Sequence, residues 1–503
     1  MLPGSSQRAG TSGVSPAAVF GGGLAVLCAA WFFGISTRVS LNNDIDVIAR
    51  AGISRVLTGG IGDLTDTFLL IALATAAYLA CLWALRRGFR HGFAAAIAGT
   101  ALAGAAMLPA MPLTSPDAVH LAADVRTFWL HGTWPAESSG APATIDDPVA
   151  NEVRVFRSQP SGYGPLAYAI GGAALPFVGD SFRANLLGQK IIAGVFLTLT
   201  AAAAGIIARK LGQNAGLVAG IIGLNPMMTW QYPGDGHNDS IMAFFGVVAI
   251  GLVLRPGWRE RGLGVGAGLA AALCKYGLLL VSPVISVWWF PRWRYALTAL
   301  AAGGGAVVLL LYVLDAGPVS NGTLGPAGTV ARTTPWGVLQ SITGAGGAGA
   351  DRIVVAGYIL YLTTLAAIML RHPFETETDT IRAVALAMGL FFYVCAPGYL
   401  AWYLIWFLPF AALSACRWLI WGAVAFTVSA FLPILALNWG ASITQDWSIQ
   451  DPVEWAVVLA WSATAAIAFA GSRGEQRDWW RRDRTPAAKG PQFAPRKKRR
   501  VTT

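Results

Sequence analysis

Fifteen apolar runs follow one another along this 503-residue chain, near 17–36, 66–85, 92–112, 165–179, 187–208, 214–231, 239–254, 262–274, 277–290, 295–314, 352–370, 381–396, 400–415, 418–437 and 453–471. Lipid offers no water to the backbone, so each run must satisfy its own N–H and C=O groups, which in a non-barrel chain means helix. Only 12% of residues are charged, about half the proportion of a soluble domain. The chain is therefore expected to be an all-α polytopic membrane protein. Several runs are shorter than the ~20 residues that cross a bilayer. Those at 165–179, 262–274 and 277–290 are read as half-helices, or as re-entrant or shielded segments.

The basic residues set the expected orientation. Arg86, Arg87, Arg90, Arg209, Lys210, Arg255–Arg261, Arg292–Arg294, Arg371 and Arg417 form one set, which belongs in the cytoplasm. Both termini then lie inside, with 13 to 15 transmembrane helices between them. Loops 37–65, 113–164, 232–238, 315–350, 397–399 and 438–452 lie outside. Three regions are expected: a disordered cytoplasmic segment 1–16, a transmembrane domain 17–471, and a basic cytoplasmic tail 472–503. From Arg473 to Arg500 the tail sets eleven Lys/Arg against three Asp/Glu and supplies most of the net charge of +11. A charge so placed suits an anionic lipid surface, and nucleic acid is excluded as a partner.

Outer loop 113–164 carries six carboxylates, Asp117, Asp124, Glu137, Asp146, Asp147 and Glu152. Within it, 116–131 reads as a short interfacial helix with Ser115 as N-cap and Pro116 in its first turn. Asp117, His120 and Asp124 then share one face, and such a carboxylate can take a proton from an attacking hydroxyl. Taken singly, an acidic residue here is also explained as solvated loop or helix N-terminal charge.

A second constellation is Asn225-Pro226, followed by Gly234-Asp235-Gly236-His237-Asn238-Asp239. Here a span breaks into a polar turn, as functional sites in membranes do. His237 and Asn238 are candidate hydrogen-bond donors to a phosphate, and Asp239 reads as the N-cap of the next helix. Lys275 interrupts an apolar run, so it either faces a polar cavity and a leaving phosphate or snorkels to the interface. Trp402-Tyr403-Leu404-Ile405-Trp406 reads first as an interfacial aromatic belt, with a sugar- or lipid-contacting role for Tyr403 as the alternative. Arg332, in outer loop 315–350, is a further candidate phosphate partner. The five cysteines lie in or beside apolar runs, with no CxxC, so neither a disulfide framework nor a metal cluster is indicated. The loop carboxylates leave a divalent metal open, although no ligand spacing demands one.

Ser115-Pro116-Asp117, Tyr163-Gly164-Pro165-Leu166, Asn225-Pro226 with Gly236-His237-Asn238-Asp239, and Trp402 through Pro409 occur in that order. As a set they resemble the polyprenyl-phosphate-mannose-dependent alpha-1,6-mannosyltransferases of the C-type glycosyltransferase fold. After Gly132-Thr133-Trp134-Pro135 the aromatic common in that family is replaced by Ala136. The resemblance implies a multi-pass protein of a bacterial plasma membrane with an extracytoplasmic active site. It implies a mannosyl residue moved with inversion from a polyprenyl-phosphate donor to a glycolipid or lipomannan-type acceptor, forming an alpha-1,6 linkage without a cofactor. Asp117 would be the base. His237, Asn238 and Lys275 would lie on the phosphate side, and Tyr163, Asp124, His120, Tyr403 and Arg332 would be substrate contacts. Two alternatives remain at this point. One is an arabinosyltransferase of the same fold. The other is a lipid-linked-sugar transporter or flippase, for which the chain shows no internal repeat.

Overall fold

The computed structural model describes residues 14–36, 61–112, 117–135, 145–153, 161, 163–298, 300–301, 336, 339, 348–392, 401–427 and 430–431. Within them the protein is all-α, with no strand. Loop 315–350 apart from 336, 339 and 348–350, Arg332 included, and tail 472–503 lie outside the described residues.

Local sequence rules account for the helix starts. Helix α1 (Pro16–Ala29) begins on Ser15, whose hydroxyl accepts from the Ala18 N–H, with Pro16 in the first turn. A π-helical stretch, Ala30–Ser36, prolongs it. Helices α2 (Ile61–Arg87) and α3 (Gly92–Met107) follow, then α4 (Asp117–His131) and the short α5 (Pro165–Gly171). Helix α6 (Phe182–Lys210) is capped by Ser181 and ends on Arg209 and Lys210, which suit the negative end of its dipole. Helix α7 (Ala215–Gly223) is capped by Asn214. Helices α8 (Asp239–Val253), α9 (Trp258–Cys274) and α10 (Ser282–Trp289) come next. Then follow α11 (Ala348–Arg371), α12 (Glu377–Leu390), opened by a Thr376/Asp379 capping box, and α13 (Leu404–Leu413).

Among the described residues three helices are long and apolar enough to cross a membrane: Pro16–Ser36, Asp66–Arg87 and Phe182–Lys210. A fourth candidate is a broken one, Pro226–Gly234 and Asp239–Val253, bent by 120°. Several runs counted as full spans from sequence are shorter than a crossing requires. Run 92–112 becomes a 16-residue helix and run 400–415 a 10-residue one. Segment 165–179 folds as α5, one 3-10 turn and a last helical turn ending at Val178. Run 262–274 starts earlier, at Trp258, and breaks from the next segment at Lys275.

Helix α1 packs on α2, α6 on α7 and α8, α8 on α9, and α12 on α13. Small residues allow the close approaches: a Cβ on Gly220 would collide with Leu85 Cδ1. The basic loops gather at one end of the bundle. Asn214 donates to Leu85 O, Gln213 to Leu413 O and Arg382 to Ser414 O. There too Arg294 donates to Met369 O and His372 O, and Arg255 faces Glu377 at 3.8 Å. Asp117 and Asp239, the first residues of α4 and α8, and His237 in the turn before α8 lie at the opposite end.

Candidate active site

The turn between the bent helices is built first by Asn225. Its side chain accepts from the Met227 and Met228 N–H groups, with Pro226 in the first turn, and its amide donates to Thr427 Oγ1 at 2.7 Å. Trp31 Nε1 donates to Thr229 Oγ1, and the Trp31 ring stands edge-on to Trp230. From Trp230 the chain widens into a π-turn to Gly234, a geometry that recurs at functional sites. Asp235, Gly236 and His237 then fold back to donate N–H bonds to Trp230, Tyr232 and Gln231. Gly236 has φ +78°, and a Cβ there would lie 2.8 Å from Ala118 Cβ. Only glycine accommodates both the left-handed backbone and this approach to the first turn of α4.

That approach places His237 beside Asp117, the first residue of α4. His237 Nδ1 lies 3.4 Å from Asp117 Oδ2, with the imidazole fully buried and the carboxylate 28% exposed. Tyr163 OH donates to the same Oδ2 at 3.1 Å. Burial, with the carboxylates of Asp117 and Asp239 adding to it, pushes the Tyr163 phenol well above its ordinary value, so it remains a donor. Behind His237 the Trp402 indole is stacked, centroids 4.1 Å apart and planes 19° apart. Tyr232 OH donates to Trp402 O and fixes that ring's backbone.

A second layer lies below. Lys275 sits at the break between α9 and the following 3-10 turn, its backbone extended. Its ammonium donates to Asp239 Oδ1 at 3.0 Å and lies over the rings of Tyr403, Tyr163 and Trp406. Trp406 Nε1 donates to the same oxygen at 2.8 Å. Gly164 N–H donates to Cys274 O, and a Cβ on Gly164 would collide with Leu273 O, so the Tyr163 segment lies directly on the α9 break. Tyr163 thus touches both layers.

Three expectations are corrected here. Asp239 does not cap α8: Asn238 occupies the cap position without a side-chain cap bond, and Asp239 is the first helical residue, its carboxylate turned to Lys275 and Trp406. Lys275 does not snorkel, because pairing with the buried Asp239 and an aromatic surround satisfies it in place. The aromatics of 402–406 are likewise no interfacial belt; Trp402 and Trp406 are buried against His237 and Asp239.

The structure thus brings together Asp117, Tyr163, His237, Lys275 and Tyr403, with Asn238 buried alongside. His120 is half-buried on α4. Asp124, two turns below Asp117, is buried instead of facing a cleft. Burial raises its carboxyl from 3.8 to about 7, against the pull of the Ser161 hydroxyl. Since the folded protein favours the protonated form, Asp124 costs stability as pH rises from 3.8 through about 7. Asp124→Asn is therefore expected to raise the thermal midpoint at pH 8 and to leave it unchanged at pH 4, measured by unfolding in detergent across that range.

Sequence reasoning missed the clamp that holds the outer loop. Arg126 Nε donates to both Asp147 oxygens, Nη1 to Gly179 O and Nη2 to Asp180 Oδ1. Burial by itself would raise the Asp147 carboxyl. The Arg126 guanidinium, the Val149 and Ala150 N–H groups and His131 outweigh it and hold that carboxyl at about 2. The signal was Asp147-Pro148, a turn-forming pair whose aspartate accepts from the backbone two and three residues on. Among the described residues no three His, Cys, Asp or Glu side chains converge as a metal site.

A family model described as alpha-(1->6)-mannopyranosyltransferase, N-terminal domain, matches residues 18–291. Alpha-(1->6)-mannopyranosyltransferase B of Corynebacterium glutamicum is 25% identical over 349 residues, which cover 61% of this chain and 58% of that protein. Alpha-(1->6)-mannopyranosyltransferase A of the same organism is 32% identical over 99 residues, 20% of each chain. The chain thus spans less than two thirds of these relatives. No solved structure matches.

Proposed function

Because the chain belongs to the alpha-(1->6)-mannopyranosyltransferase family, we propose that it is a membrane glycosyltransferase. It moves a mannosyl residue from a polyprenyl-phosphate donor to a glycolipid or lipomannan-type acceptor on the extracytoplasmic side, forming an alpha-1,6 linkage. The observation that carries this reading is the setting of Asp117. Its carboxylate is partly open to solvent, receives the Tyr163 hydroxyl, and stands beside His237 at a junction of broken helices.

In this reading Asp117 takes the proton of the acceptor hydroxyl while that oxygen attacks the anomeric carbon. The bond from that carbon to the phosphate oxygen breaks in the same displacement, its electron pair leaves with the lipid phosphate, and the configuration inverts. A beta-linked donor then gives an alpha product. Tyr163, kept protonated, holds the carboxylate in place. Lys275, with His237 and Asn238, supplies the cationic and hydrogen-bonding side toward which the phosphate departs. The reading is tested by giving purified protein radiolabelled polyprenyl-phosphate mannose or arabinose. Transfer of mannose supports it, and transfer of arabinose alone reassigns the sugar.

The orientation has its own test. Asp146 is exposed in loop 113–164, whereas the described cysteines are buried or half-buried. Asp146→Cys is expected to react with a membrane-impermeant thiol reagent in intact cells. Labelling only after lysis would invert the topology.

A further inference from the structure

We infer that Lys190 is a positioning residue, whose ammonium caps the helix leading into the Asp117 segment and whose stem supports the turn that carries His237. This rests on Asp117 being the base. Lys190 lies two turns into α6, a helix long and apolar enough to span a membrane, and is fully buried. A lone ammonium at such a depth requires partners. Nζ donates to Leu108 O at 2.7 Å, Met107 O at 3.3 Å and also Ala110 O. These carbonyls end α3 and begin the chain that runs toward Asp117, and helix C-termini leave such groups without intrahelical partners. The carboxylate of Asp235, buried in the polar turn, interacts electrostatically with the ammonium.

The stem makes the second connection. A Cβ on Gly236 would lie 3.2 Å from Lys190 Cγ and 2.8 Å from Ala118 Cβ. Lys190, Gly236 and Ala118 are therefore packed together, and the neighbours of the last two in the chain are His237 and Asp117. One side chain thus braces both segments whose meeting sets the 3.4 Å approach of His237 to Asp117. Uncapping α3 frees the 107–110 carbonyls to seek other partners and lets the first turn of α4 shift against the turn.

The test is a double-mutant cycle on the full-length protein in detergent, combining Lys190→Met, which retains the stem and removes the charge, with His237→Ala. Lys190→Met alone is expected to lower kcat about 10- to 100-fold, as a displacement of a reacting group by an ångström does, with donor KM nearly unchanged. The two losses are expected not to multiply in the double variant, because both act on the same geometry. Losses that multiply, a rise in KM equal to the fall in kcat, or wild-type kcat in Lys190→Met would each overturn the inference. Where Lys190→Met is not recovered folded, Lys190→Gln, whose shorter side chain has two amide N–H donors for three carbonyls, takes its place in the cycle with the same expected loss and non-additivity, and wild-type kcat in it would equally overturn the inference. Activity surviving in Asp117→Asn would remove the base itself, a separate outcome from any result of the cycle.

Discussion

Asp117→Asn is expected to lower sugar transfer by about 10²- to 10⁴-fold, the contribution of a positioned general base. The amide retains the shape of the carboxylate and can still receive the Tyr163 hydroxyl, so folding and expression should stay near wild type. It cannot take the acceptor's proton at neutral pH. The assay is transfer from radiolabelled polyprenyl-phosphate mannose by purified protein, beside thermal unfolding of the same preparation. Normal unfolding with lost turnover is the expected pair of results. Retained turnover sinks the assignment of the base, and lost folding would place Asp117 among the structural groups.

The second large effect concerns the Lys275–Asp239 pair. Asp239 is 1% exposed at its side chain and Lys275 11%. Removing one partner strands the other charge away from water, which in buried pairs costs about 3–5 kcal/mol. Asp239→Asn and Lys275→Met are each expected to lower the thermal midpoint markedly. The double variant is expected to recover much of the loss, since no uncompensated charge is left. Single variants that unfold like wild type would show that water or lipid phosphate already compensates the pair. Stability regained without turnover in the double variant would show that the ammonium also serves the chemistry.

Parts of this arrangement were legible in the chain. Apolar runs give the all-α class because lipid permits little else. Asp117, His237 and Lys275 stood out as polar groups at apolar boundaries and Tyr163 through the family resemblance, and the structure gathers them. Their pairings were not legible. Whether Lys275 meets Asp239 or the interface depends on where α9 breaks relative to α13, a tertiary fact that no local window holds. The same limit hid Trp402 behind His237, since an aromatic at a helix start has the same pattern whether it faces lipid or an imidazole. Asp124 was misplaced for a related reason: helical spacing puts it on the face of Asp117, but α4 turns that face inward on its second turn. Lys190 carries the same signal as Lys275, a lone ammonium in an apolar run.

The stacking of Trp402 on His237, and the bond from Trp406 Nε1 to Asp239, have a consequence for how the protein is made. The part of the chain that carries Asp117, Tyr163, His237, Asp239 and Lys275 leaves the ribosome before the part that carries Trp402 and Trp406. Until that later part is inserted, the imidazole lacks its backing ring and the Asp239 carboxylate its indole donor. A chain interrupted before residue 400 therefore holds Asp117, Tyr163, His237, Asp239 and Lys275 in an unfinished socket, without the rings of Trp402, Tyr403 and Trp406 that close it.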